Sequence, residues 1–163
     1  MTTHLKTRLE KIDNVLSKLG EQVENGKPMI VEGKKDANAL LELGVGGKVF
    51  TVKTGGKSFL QAAAEIESLG VEEVILLLDF DRRGREGTKR LQQSLERTNT
   101  KVNVRFWREL AALISHDVQC IESLPAYLAT VQQKAEDDLP FLCNGGAYKR
   151  SSFCQQISNF AML

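Results

Sequence analysis

The sequence has few residues of the kinds that build disulfide frameworks or transition-metal sites. It contains only three cysteines and two histidines in 163 residues, and no two cysteines form a Cys-x-x-Cys pair. An odd number of widely spaced cysteines argues against a disulfide scaffold, and so few sulfur and nitrogen ligands argue against a zinc site. We therefore expect any bound metal to be a hard cation held by oxygen atoms.

The sequence also lacks a long apolar run and a strong net charge. No stretch reaches the roughly 18 apolar residues that span a bilayer, and the charged N-terminus is not that of a signal peptide. We therefore expect a cytoplasmic protein with no membrane contact. The net charge is only +1, but five basic residues and one glutamate lie between residues 82 and 90. A charge run of this kind is by itself more typical of a solvated helix face.

What the sequence does contain is an alternation of amphipathic and short apolar segments. Apolar residues at steps of three and four predict a helix over residues 2–24. Strands predicted at 28–31, 48–52, 74–79 and 102–106 then alternate with helices predicted at 34–43, 58–69 and 85–97, and weaker helical patterns follow at 108–114 and 125–135. This order predicts an α/β fold with a doubly wound, mainly parallel four-stranded sheet flanked by helices.

Three regions are expected along the chain. Residues 1–27 form an N-terminal amphipathic helix, residues 28–110 the α/β core, and residues 111–163 a helical or irregular extension packed on the core. The apolar stripe of the first helix most commonly packs on its own domain. A homodimer or a protein partner bound through this helix is the rarer alternative.

Three carboxylates follow two of the predicted strands. Glu32 comes directly after the first strand, Asp79 ends the third, and Asp81 lies two residues further on. Ligands of parallel sheets bind at the carboxyl ends of strands where the strand order reverses, and right-handed crossovers allow strands one and three to be neighbours there. Each acid alone would more often cap a helix. Together they would repel one another, and a divalent cation would relieve that repulsion.

The residues around these acids resemble a known family. The segment VEGKKDANAL followed by VILLLDFDRRGREGTKRL resembles the Toprim domain of topoisomerases, primases and several nucleases, and especially small standalone archaeal Toprim proteins. The resemblance covers about residues 28–107. It implies that Glu32 is a general acid/base that also touches metal, and that Asp79 and Asp81 hold Mg²⁺, with Mn²⁺ as an alternative.

Basic residues and glycines surround the three acids. We expect Gly33 and Gly84 to allow close backbone approach. Six basic side chains are candidates for binding the phosphates of a polyanionic substrate, RNA or DNA: Lys34, Lys35, Lys57, Arg82, Arg83 and Arg85.

Two other interpretations of the motifs are disfavoured. A phosphate-binding P-loop ending at Ser58 would need glycine at position 51, which is Thr51, so Ser58 is expected to cap the second helix instead. Lys53 and Lys57 of this loop could still contact a phosphate backbone, since the loop would lie at the carboxyl end of the sheet. A topoisomerase would need a nucleophilic tyrosine, and Tyr127 and Tyr148 both lie outside the predicted core.

The function predicted from these residues is magnesium-dependent phosphoryl transfer on nucleic acid. A small nuclease is favoured, and RNA processing in particular, by analogy with the small Toprim nuclease that matures bacterial 5S ribosomal RNA. The main alternative is a non-catalytic nucleic-acid-binding or assembly module of a larger processing complex. A third candidate is an enzyme that acts on a small phosphorylated molecule.

Overall fold

The computed structural model describes residues 2–53 and 58–137. The helices and strands of this part are α1 (Thr2–Glu24), β1 (Met29–Val31), α2 (Lys34–Glu42), β2 (Val49–Thr51), α3 (Phe59–Ser68), β3 (Glu73–Leu76), α4 (Arg82–Glu96), β4 (Lys101–Asn103), α5 (Arg105–Ile114) and α6 (Leu124–Asp137), with a short 3₁₀ turn at Ile121–Ser123.

The four strands form one parallel sheet in the order β2-β1-β3-β4. This confirms the predicted α/β fold, with every strand pair parallel. The chain passes from β1 to β2 on one side and then returns to β3 on the other, so the strand order reverses between β1 and β3. Met29 lies opposite Ile75, and Ile30 lies opposite Leu76. The carboxyl ends of β1 and β3 therefore adjoin at the reversal point, as expected.

Helices cover both faces of the sheet. On one face Ile30 and Leu76 pack in a cluster with residues of α3 and α4. On the other face Met29 and Ile75 belong to a cluster that includes residues of α1, α2, α5 and α6. Alternate side chains of β1 and β3 are thus buried in opposite directions. This explains why both strands are continuous apolar runs in the sequence.

The apolar stripe of α1 is buried within the chain. Ile12, Leu16 and Leu19 are fully buried, and α1 contacts α5 and α6. The stripe therefore packs on its own domain, as such stripes most commonly do. A homodimer or partner contact through this helix stays a prediction. Among the helices of the described residues, none is long and apolar enough to cross a membrane.

Several predicted boundaries were wrong. Strand β3 ends at Leu76, so Asp79 lies three residues beyond the strand that it was predicted to end. Helix α4 begins at Arg82 rather than at residue 85, because the Asp81 side chain caps it by accepting a hydrogen bond from the Gly84 N–H at 2.6 Å. Strand β4 ends at Asn103 rather than at residue 106, and α5 begins at Arg105. The α/β core was predicted to end at residue 110, which lies inside α5. The division of the chain into three regions stays a prediction.

Candidate metal and phosphate site

Glu32 and Asp79 lie together where the two central strands end. Glu32 is the first residue after β1 and is only 2% exposed, and Asp79 follows the adjacent strand β3. The two carboxyl groups are close enough for hydrogen bonding between them to affect the pKa of each. Two of the three predicted carboxylates are thus neighbours, although they are separated by more than forty residues of sequence.

The two oxygens of Glu32 have different surroundings. Oε1 forms an ion pair with the half-exposed ammonium group of Lys53, which follows β2. Oε2 is buried and has no hydrogen-bond partner in the described part of the chain. Burial raises the pKa of Glu32, but the hydrogen bond to Lys53 and the interaction with Asp79 outweigh it and hold the pKa below its ordinary value. Glu32 is therefore a carboxylate at neutral pH, with one buried oxygen free to accept a proton or a cation.

Asp79 is held between a backbone donor and two other acids. Its Oδ1 accepts a hydrogen bond from the Ile121 N–H at 2.9 Å. Burial raises the pKa of Asp79 to about 7, and hydrogen bonding and charge repulsion from Glu32, together with the charge of Asp36, act in the same direction, while the Ile121 N–H opposes them. The protonated and ionised forms are therefore both populated near neutral pH.

Asp36 is a buried acid of this site that the sequence analysis missed. It is 7% exposed and accepts hydrogen bonds from the Gly33 N–H at 2.9 Å and the Glu122 N–H at 3.2 Å. Burial raises its pKa, and the charge of Glu32 adds to that effect. Asp79 and Asp36 thus accept hydrogen bonds from successive N–H groups of the 3₁₀ turn, those of Ile121 and Glu122, and fix the turn beside the site. An aspartate at the third position of a helix is a typical capping residue, and this signal was available at GKKD.

Asp81 is used differently from its two predicted partners. Its Oδ1 caps α4, which is the more common role of an aspartate after a strand. Within residues 2–53 and 58–137, no three or more His, Cys, Asp or Glu side chains are gathered at metal-ligand spacing. The structure therefore brings Glu32 and Asp79 together, and a metal-binding role for Asp81 stays a prediction.

The two predicted glycines, Gly33 and Gly84, differ in how much space their surroundings leave for a side chain. A Cβ atom at Gly84 would lie 2.0 Å from the Asp79 carbonyl oxygen, so only glycine fits there. The close approach is thus between α4 and the backbone of Asp79. Gly33 has an extended backbone, and a Cβ atom there would lie 3.7 Å from Asp36 Oδ2, an ordinary contact.

Five of the six basic residues predicted to bind phosphate lie at the first turns of two helices. Lys34 and Lys35 begin α2 and are exposed, and Lys35 is 4.0 Å from Glu122. Arg82 and Arg83 begin α4 and are also exposed. Arg82 pairs with Glu86 on its own helix, Arg85 donates a hydrogen bond to the Phe80 carbonyl oxygen, and Lys57 lies outside the described residues.

Lys53 is a basic residue that contacts one of the acids directly, through its ion pair with Glu32. It follows β2, which pairs with β1, so it lies at the same sheet edge as Glu32. Its contact with a phosphate stays a prediction. Ser58, as expected, caps α3 by accepting a hydrogen bond from the Gln61 N–H at 3.3 Å.

Comparison with known proteins places this site in a family. The Toprim domain family matches residues 26–106, which include β1, β3 and the candidate carboxylates. The UPF0292 protein of Methanocaldococcus jannaschii is 38% identical over 119 residues, covering 73% of this chain and 91% of that protein. The chain belongs to the UPF0292 family of Toprim-domain proteins.

Other relatives agree with this assignment. The UPF0292 protein of Methanosarcina acetivorans is 31% identical over 129 residues, 79% of this chain and 88% of that protein. Among solved structures, a protein from Aquifex aeolicus has the same fold, with a TM-score of 0.54 at 24% identity over 68% of this chain and 94% of that one. The predicted resemblance to small archaeal Toprim proteins is thus confirmed. A Toprim domain indicates a metal-binding function related to nucleic acids.

Proposed function

We propose that this Toprim protein is a metal-dependent nuclease that hydrolyses phosphodiesters, with RNA as the favoured substrate. The observation that carries the proposal is the pair formed by Glu32 and Asp79 at the point where the strand order reverses. Ligand sites of parallel sheets lie there. The buried, unpartnered Oε2 of Glu32 is the kind of atom that a substrate or cation would satisfy.

The side chains present fit a hard divalent cation. Glu32 and Asp79 offer only oxygen donors, which Mg²⁺ and Mn²⁺ prefer. Burial raises the pKa of Asp79, and repulsion from Glu32 and Asp36 adds to it. A cation would relieve that repulsion. Asp79 and Asp81 would hold the cation, and the negative charge of Glu32 would help to attract it. A bound cation would supply positive charge to neutralise the scissile phosphate.

The residues of the chain would perform the remaining steps of hydrolysis. Exposed cations near the site, Lys53, Arg82 and Arg83, would hold the phosphate oxygens. A water oxygen bonds to phosphorus while the bond from phosphorus to the leaving sugar oxygen breaks. Glu32 takes the proton of the attacking water at Oε2, and the leaving oxygen takes a proton from solvent.

The test is cleavage of end-labelled structured RNA, single-stranded DNA and double-stranded DNA in Mg²⁺, Mn²⁺ or EDTA. We expect metal-dependent products that fall at least about a hundredfold with Asp79→Asn. Asparagine keeps an acceptor for the Ile121 N–H, so the protein should still fold. Asp117→Asn is the matched control, because Asp117 is a partly exposed carboxylate paired with Arg8. Cleavage that survives both EDTA and Asp79→Asn would refute the proposal.

A second candidate is a non-catalytic nucleic-acid-binding or assembly module. Two observations favour it: Asp81 caps a helix, and the described residues contain no cluster of three metal ligands. A module of this kind would bind polynucleotide equally well in EDTA and with Asp79→Asn, and no cleavage would be seen. The tyrosine on α6 does not suggest strand passage, since Tyr127 donates its hydroxyl hydrogen bond to Asp117. Tyr148 lies outside the described residues.

A further inference from the structure

One face of α4 carries a row of arginines. Arg83, Arg90 and Arg97 are spaced by seven residues, close to two helical turns, so they project from the same side of the helix and its C-terminal end. All three are exposed and, within the described part of the chain, none pairs with an acid. At 1.5 Å per residue the row is about 21 Å long, enough for several nucleotides.

This row forms one wall of a groove between α3 and α4. The groove has a volume of about 500 Å³. Among the described residues, its lining includes four cations and no acid: Lys53, Arg83, Arg90 and Arg97. The larger groove beside β4, of about 820 Å³, is instead lined by both signs of charge, with Glu73, Glu96 and Glu109 next to Lys101, Arg105 and Arg108. Of these two grooves, the one between α3 and α4 is suited to a polyanion.

Apolar side chains lie between the cations of this groove. The Phe59 ring packs over Gly87 of α4, where an added Cβ atom would lie 2.6 Å from Phe59 Cζ. Leu60 beside it is 75% exposed, more than the other exposed leucines of the described residues, Leu41 at 63% and Leu69 at 49%. A cationic groove with exposed apolar or aromatic groups is the typical arrangement for single strands, whose unpaired bases need a surface to stack on. A duplex keeps its base faces covered and does not need one.

The groove is continuous with the candidate site. Lys53 lines the groove and also pairs with Glu32, and Arg83 lies two residues beyond Asp81. We propose that the groove between α3 and α4 binds a single strand of nucleic acid and leads it to Glu32 and Asp79. The arginines and Lys53 contact its phosphates, and Phe59 and Leu60 contact its bases. The route to the carboxylates rests on the proposed function, whereas binding in the groove does not.

The test is binding of fluorescently labelled oligo(U) and oligo(dT), about 12 nucleotides long, to the full chain in EDTA, so that cleavage plays no part. Arg90→Gln/Arg97→Gln is compared with Lys11→Gln/Lys89→Gln, which removes the same charge from exposed positions outside the groove. We expect the arginine double variant to weaken binding about tenfold or more and to reduce the slope of log K against log salt by about 1.4. The lysine double variant should change affinity less than about twofold.

Four outcomes bear on the groove assignment, and the last two separate it from the proposed nuclease activity. Equal losses in the two double variants would mean that the binding is non-specific attraction. Competition by duplex as effective as that by single strand would mean that the bases are not contacted. If wild-type protein cleaves in an Asp79-dependent way but the arginine variants bind normally, the groove is wrong and the nuclease stands. If the arginines control binding but no metal-dependent cleavage is found, the groove stands and the nuclease is wrong.

Discussion

At the scale of single residues, the first turn of α4 has no room for a methyl group at Gly84. An added Cβ atom would meet the carbonyl oxygen of Asp79 at 2.0 Å and its carbonyl carbon at 2.6 Å. We expect Gly84→Ala to lower the free energy of unfolding by about 3 kcal/mol, because backbone atoms must move to admit it. Urea denaturation measures the change.

Gly33→Ala is the matched control for this prediction. Gly33 also adjoins a carboxylate of the site, Glu32. Its backbone is extended, and an added Cβ atom would make only an ordinary contact, at 3.7 Å from Asp36 Oδ2. Its replacement should cost less than about 1 kcal/mol, mainly through a poorer helix cap. Similar losses for both variants would mean that the contact between α4 and Asp79 is not the cause.

The residues of the site were only partly predictable from the sequence. Glu32 and Asp79 could be found because each ends an apolar run of the sequence, and parallel strands end at one edge. The involvement of Asp36 could not be found in this way. The sequence signal at GKKD points only to its cap on the Gly33 N–H, whereas its contact with the N–H of Glu122, more than eighty residues away, has no local pattern. The capping role of Asp81 was considered, but its neighbours favoured the metal interpretation.

At the scale of elements, Arg8 connects α1 to the end of α5. Its Nε donates a hydrogen bond to the Leu113 carbonyl oxygen at 2.8 Å, and its Nη2 pairs with Asp117. Hydrogen bonds from Arg8 and then from the Tyr127 hydroxyl lower the pKa of Asp117. The folded state thus binds fewer protons here than the unfolded state. The resulting stabilisation is present above the ordinary aspartate pKa and is lost as the pH falls through the lower, folded-state pKa.

We therefore expect Asp117→Asn to lower the free energy of unfolding at pH 7 by less than about 1 kcal/mol, since the pair is partly exposed and screened by solvent. The difference from wild type should vanish under acidic conditions, where Asp117 is protonated in both states. Urea titrations over a range of pH measure this, with Glu10→Gln on the same helix as Arg8 as the control. A difference that stays constant with pH would contradict the assigned cause.

The elements themselves were more predictable than their ends. The spacing of apolar residues gave the limits of α1 because the whole helix presents one stripe to the core. The prediction from apolar spacing failed at residues 102–106, where alternate apolar residues suggested a strand. Phe106, Leu110 and Ile114 are buried at helical spacing, so packing against the core determines where α5 begins.

At the scale of the whole molecule, α1 is part of the main core and not an appendage. Leu16 is fully buried in the same cluster as residues of the sheet and of α6. We expect Leu16→Ala to lower the free energy of unfolding by about 2–5 kcal/mol and to leave a single cooperative transition in urea. Leu41→Ala, at a site that is 63% exposed, should change it by less than about 0.5 kcal/mol. A separate early transition of α1 would show that the helix unfolds independently.

The packing of α1 against α5 and α6 has a consequence for synthesis. The helix leaves the ribosome before α5 and α6, and α5 begins about 80 residues after α1 ends. At 5–20 residues per second, its apolar stripe would wait roughly 4–16 s for the helices that cover it. During that time the apolar stripe of α1 is exposed and can associate with other proteins. The yield of this protein should therefore depend on chaperones that bind exposed apolar segments of nascent chains.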